Sequence, residues 1–140
     1  MLYIILLYFL LDKCFDPIFE SLYPSSEQQY QNTIQSILKS PITGFIQVCV
    51  VAPVIEEILM RGFVLGGLKD SYGNSVAILT SATLFALLHF NMVQTFSAFI
   101  CGIILGILFI KTESILSCIL AHFGYNLISF FIIITSNTNV

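Results

Sequence analysis

Four apolar stretches follow one another along the chain, near Ile42 to Leu68, Val76 to Phe90, Val93 to Ile110 and Ile115 to Thr135. Short polar turns separate them: Lys69 to Ser75, the pair Asn91 and Met92, and Lys111 to Ser114. Each stretch reads as a helix set against lipid, although the second is short. A fifth apolar stretch, Met1 to Leu11, has only about half of the ~20 residues that crossing a bilayer requires. With no basic start and no small-residue cleavage site it does not resemble a signal peptide, and it reads as part of a spanning helix or an interfacial segment. Between it and the first full span, Asp12 to Lys39 is the one extended polar region. Ser25 with Gln28, or Ser26 with Gln29, has capping-box spacing, and Tyr30, Ile34, Ile37 and Leu38 then fall on one helical face. That pattern predicts an amphipathic helix on the membrane surface, with a substrate-gating lid as its functional alternative.

The expected fold is therefore all-α: a polytopic transmembrane helical bundle with about four full spanning helices, a short N-terminal apolar segment and an amphipathic surface helix. Residues 1–40 form the stub and interfacial region, 41–135 the membrane core and 136–140 a polar tail. Inside the first span Pro53 cannot donate its backbone bond, which predicts a kink one turn before the two glutamates. Gly62 and Gly66, and Ala98, Gly102 and Gly106, recur at four-residue spacing and predict close helix approach, within one chain or between chains.

Composition supports the same picture, with 57% hydrophobic residues, 9% charged residues and a mean hydropathy of +0.95. A net charge of −3 from scattered residues supplies no basic patch, which sets nucleic acid aside as a partner. Cys14, Cys49, Cys101 and Cys118 have no C-x-x-C spacing and read as free thiols. Lys13 and Lys39 on one side balance Lys69 and Lys111 on the other, so charge leaves the orientation open.

Against this background the segment Pro-Val-Ile-Glu-Glu-Ile-Leu-Met-Arg-Gly-Phe, from Pro53 to Phe63, is anomalous. An acid or a base at mid-membrane costs roughly 2.5 to 3.5 kcal/mol, whereas Leu, Ile, Phe or Val returns only about 0.3 to 0.6 kcal/mol. Glu57 and Arg61, four residues apart, can neutralise each other on one face, while Glu56 is turned about 100° away and needs a neighbour from another helix. Both histidines of the chain, His89 and His122, also sit in apolar stretches. Either alone reads as a hydrogen-bonded packing residue. With Glu56 on a third helix they make a different set. A carboxylate beside a neutral histidine can hold and deprotonate a water, and a second histidine with an amide can donate to an oxygen that becomes negative. Hydrolysis within the membrane suits these residues. No H-E-x-x-H and no G-x-S-x-G is present, while Glu56, His89 and His122 leave a His2Glu zinc set open.

The ordered set Glu56-Glu57-x-x-x-Arg61, Phe85-x-x-x-His89 and His122-x-x-x-Asn126 resembles the CPBP family of intramembrane proteases, named for CAAX prenyl-protein-processing and bacteriocin-processing members and also called Abi. The resemblance covers roughly Pro41 to Thr135. It implies a helical membrane core with a sunken active site, in which Glu56 and His89 activate the water and His122 with Asn126 stabilises the oxyanion. Glu57 and Arg61 would hold that arrangement, with Phe85 packed beside it. The family is described both as metalloproteases and as glutamate peptidases without metal. The second is favoured, since Asn126 is a poor zinc ligand, so no cofactor is expected, with zinc as the alternative.

The resulting expectation is an intramembrane endopeptidase acting on a peptide or membrane-associated protein, in the lipid of a bacterial cell membrane. The alternative is a non-catalytic bacteriocin self-immunity or membrane-interaction protein. A proton-coupled carrier ranks last, for want of paired broken helices and internal symmetry. Among substrates a prenylated C-terminus ranks lowest.

Overall fold

The computed structural model describes residues 24–89 and 92–137, together with Ile18, Ser21 and Leu22. The apolar stub, Cys14, the Asn91 connection and the side chains of the two predicted capping serines lie outside the described residues. Helix α1 is Pro24–Lys39. Helix α2 runs over residues 41–72 and α3 over 74–87, divided at Gly73. Helix α4 is Met92–Thr112 and α5 is Ile115–Asn137. No strand occurs among the described residues, and the chain folds as a helical bundle as its sequence predicts.

Gly73 has φ +80° and ψ 162°, a conformation that costs glycine little and other residues much. It concentrates the predicted polar turn into one residue and sends α3 back along α2. Helix α4 then packs on α3 through its small residues. A Cβ on Gly102 would lie 2.9 Å from Ala82 Cα, and one on Gly106 would lie 3.2 Å from Ile78. At the next turn Glu113 adopts φ 50° and the Ser114 hydroxyl accepts the Ser117 N–H, capping α5. Gly62 meets α5, with Ile115 3.0 Å from where its Cβ would stand, whereas Gly66 lies against the Arg61 carbonyl of its own helix.

Helix α2 departs from regular geometry on both sides of the two glutamates. Over Ile46–Val51 and again over Ile58–Leu65 the turns are wide, π-helical. Ala52 N–H bonds the Gln47 carbonyl and Gly66 N–H the Arg61 carbonyl, each five residues back. The predicted disturbance at Pro53 takes the form of the first wide turn, directly ahead of the residue that cannot donate.

Helix α2 also inverts the polarity of a water-soluble helix. Its charges Glu57 and Arg61 are fully buried, beside Cys49, Pro53, Met60 and Leu65. Ile46, Val50, Val54, Ile55, Ile58 and Phe63 are exposed, Phe63 to 77%. An apolar surface of this kind suits lipid. Among the described residues two helices are by themselves long and apolar enough to cross a membrane, Gln94–Thr112 with mean hydropathy 2.0 and Ile115–Ser136 with 1.8. Of the other two predicted spans, one, within α2, carries Glu56, Glu57 and Arg61, and the other is the short α3.

The packing divides into two clusters. Leu65, Ala77, Phe109 and Cys118 fill the end near the turns at Gly73 and Glu113. Met60, Phe85, Ala86, Ala98, Cys101 and Leu105 fill the middle, and Phe85, Ala98 and Cys101 of this cluster line a cavity. Cys49, Cys101 and Cys118 are buried and outside any disulfide, as predicted for these three. The amphipathic helix α1 has its predicted apolar face, with Ile34 buried and Ile37 against Gly44.

Candidate active site

A cavity of about 390 Å³ opens between α1, α2, α4 and α5. Glu56, His89, His122 and Asn126 all line it, and so does Phe85. The four predicted reactive side chains, spread over 71 positions of sequence, thus face one space. Helix α1 contributes Tyr30, Thr33, Ile34 and Ile37 to its wall.

Glu57 and Arg61 lie behind this space. Arg61 Nη1 donates to Glu57 Oε1 at 3.1 Å, the predicted i, i+4 pair, and Nη2 donates to the Gly102 carbonyl of α4 at 2.9 Å. Phe85 closes the network from above, with the Arg61 guanidinium 5.0 Å from its ring centroid. Glu57 Oε2 and Arg61 Nε have no hydrogen-bond partner among the described residues. A buried ion pair is dearly held, because losing either partner strands the other charge.

The same Glu57 oxygen lies 3.0 Å from His122 Nδ1. Since Oε1 already accepts from Arg61, the carboxylate is the acceptor here also, and Nδ1 is the protonated nitrogen of the ring. His122 Nε2 therefore points its lone pair forward when the ring is neutral. In front of it, 3.8 Å away, stands Glu56 Oε2. This answers which helix supplies Glu56 with a neighbour: it is α5. The separation is too long for a direct hydrogen bond and leaves two acceptors facing each other.

His89 is oriented by the same logic. Its Nδ1 lies 3.1 Å from the Phe85 carbonyl, which can only accept, so the N–H is on Nδ1. Phe85 makes edge contacts with both imidazoles, at centroid distances of 5.1 Å to His89 and 5.6 Å to His122. Asn126, one turn beyond His122 on α5, donates through Nδ2 to the Val48 carbonyl in the first wide turn of α2, at 2.8 Å. One amide hydrogen of Asn126 is committed there, and the amide still carries a second.

Among the described residues no group of three or more His, Cys, Asp and Glu is arranged to hold a metal ion. Each histidine has Nδ1 engaged, to Glu57 and to the Phe85 carbonyl, as metal-ligating histidines do, so Nε2 of both rings, with Glu56, are the atoms by which the His2Glu set left open by the sequence would hold zinc.

Several participants carry no signal in the sequence. The carbonyls of Val48 and Gly102 are backbone groups, and Ser81, whose hydroxyl donates to the Met60 carbonyl at 2.9 Å, is a single serine in an apolar helix. Helix α4, whose small residues predict close helix approach, also gives Gln94, Ser97 and Cys101 to the cavity wall.

A family model described as type II CAAX prenyl endopeptidase Rce1-like matches residues 38–128, the stretch that carries all three motifs. No curated protein and no solved structure matches the chain.

Proposed function

The chain belongs to the Rce1-like family of type II CAAX prenyl endopeptidases, and on that premise we propose that it hydrolyses a peptide bond with a water held between Glu56 and His122. As a member of that family it is a membrane-embedded enzyme of the CAAX protease kind. The observation that carries the finer reading is the 3.8 Å gap between Glu56 Oε2 and His122 Nε2, opening on the cavity.

A water in that gap can donate one hydrogen to each acceptor and keep its lone pairs for a substrate carbonyl. As its oxygen attacks the carbonyl carbon, Glu56 takes the proton. His122 keeps its orientation through Glu57, which also stabilises the ring should it become charged. The second amide hydrogen of Asn126 is available to the oxygen that turns negative. Collapse of the tetrahedral intermediate breaks the C–N bond, and Glu56 returns its proton to the leaving amine. This differs from the role division that the family resemblance implies: His122 shares the water with Glu56, and His89 lines the cavity beside them.

The substrate is a peptide or protein. The family's description brings a prenylated C-terminus, ranked last from the sequence, back among the classes to test. The decisive experiment is cleavage of quenched fluorescent peptides, prenylated and unmodified, by detergent-purified protein and by Glu56→Gln, with metal content measured on both samples. Removing the base should lower the rate by about 10²- to 10⁴-fold without stoichiometric metal. Full activity in Glu56→Gln, or one zinc per chain, would overturn the reading.

A further inference from the structure

The two wide turns of α2 have something in common beyond their geometry. In each, one carbonyl accepts a hydrogen bond from a side chain of another helix: Val48 from Asn126 of α5, and Met60 from Ser81 of α3. A wide turn aligns its backbone bonds less well than a regular one, so an outside donor has more to add there. The first of these donors belongs to the site already described. The second does not, since Ser81 lies outside the cavity wall and outside all three motifs.

Ser81 is fully buried, on α3, one turn before Phe85. Its hydroxyl holds the carbonyl of the residue immediately before Arg61. Arg61 in turn holds Glu57 at 3.1 Å, and Glu57 holds His122 Nδ1 at 3.0 Å. The second wide turn thus separates Glu57 from regular helix on the side where Arg61 must reach back to it. The direction in which the guanidinium leaves the backbone depends on how that turn is held. We propose that Ser81 is a positioning residue for His122, acting through the Met60 carbonyl, Arg61 and Glu57. It deepens the function proposed above and rests on His122 belonging to the reactive set.

A serine that merely fills space beside α2 would act on stability alone. One that aims Arg61 acts on the imidazole. The chain has two histidines, so ¹⁵N-histidine labelling of the detergent-solubilised protein yields two ring environments, with His122→Ala identifying which is which. Ser81→Ala removes the donor, and Ser81→Cys restores a weaker one of similar size. In Ser81→Ala the His122 ring nitrogens should shift while those of His89 stay, and Ser81→Cys should fall between the two. On a cleaved peptide kcat should drop about tenfold with KM within a factor of two, as expected when a reacting group is misplaced and binding is untouched.

The labelled spectrum needs no substrate. A wild type that cleaves nothing would count against the proteolytic reading while leaving the link from Ser81 to His122 measurable. Unchanged His122 signals in both folded variants would overturn the inference. So would equal displacement of both histidines in Ser81→Ala with no recovery in Ser81→Cys, the signature of general loosening.

Discussion

Glu56 and Glu57 are neighbours in sequence and live in opposite surroundings. Glu57 is sealed behind His122, held by Arg61 and by the imidazole, with every contact supplied by the protein. Glu56 faces the cavity, and His122 Nε2 stands 3.8 Å in front of it. One turn of 100° between adjacent positions separates a carboxylate that holds a site together from one whose hydrogen bonds are open to a ligand. The same residue type thus serves two purposes, and its environment assigns them.

This contrast can be broken from either side. The largest effect on rate is expected at the open side, where Glu56→Gln should lower cleavage by about 10²- to 10⁴-fold while thermal unfolding in detergent moves little. The opposite pattern belongs to the sealed side. Arg61→Ala leaves Glu57 charged and buried, and should destabilise the protein by about 3 to 5 kcal/mol, read as loss of folded material or a large fall in unfolding temperature. If Arg61→Ala were as stable as the wild type, the sealed network would have no structural role. Between these extremes, Asn126→Ala should cost about 10²-fold in kcat if its remaining amide hydrogen serves the oxyanion. An unchanged kcat would reduce Asn126 to a clamp on the Val48 carbonyl.

The smallest effect lies at the far end of the bundle. Lys69 pairs with Glu113 at 3.7 Å, and Glu113 is largely exposed. Lys69→Met should change stability by less than about 1 kcal/mol and leave cleavage alone. A large effect there would mean that the end containing Gly73 and Glu113 communicates with the cavity.

Much of this was legible in the chain because helical membrane proteins betray their function through polarity. A charge among leucines is conspicuous, and the i, i+4 spacings of Glu57 with Arg61 and of His122 with Asn126 assign faces without coordinates. The small residues at Gly102 and Gly106 announced the close approach of α3 and α4. Other parts were hidden for physical reasons. Wide turns depend on which backbone bonds form, and Ile46–Val51 reads as ordinary apolar helix apart from the proline that follows. Backbone acceptors such as the Gly102 carbonyl belong to every residue and so mark none. The partner of Glu56 depended on how α5 returns across α2, information carried by packing and not by any single motif. Span number is hard to read from sequence, since Glu56, Glu57 and Arg61 offset the apolar surface of α2 and α3 is short.

The pairing within α2 also bears on how the chain enters the membrane as it is made. Glu57 and Arg61 sit on one helix, one turn apart, so their contact requires no partner that has yet to be synthesised. The helix can leave the insertion machinery with Glu57 and Arg61 already matched. Glu56 has to wait for His122, which arrives with α5. The order of synthesis therefore completes the scaffold first and the reactive pair last, keeping the site unassembled until α5 closes it.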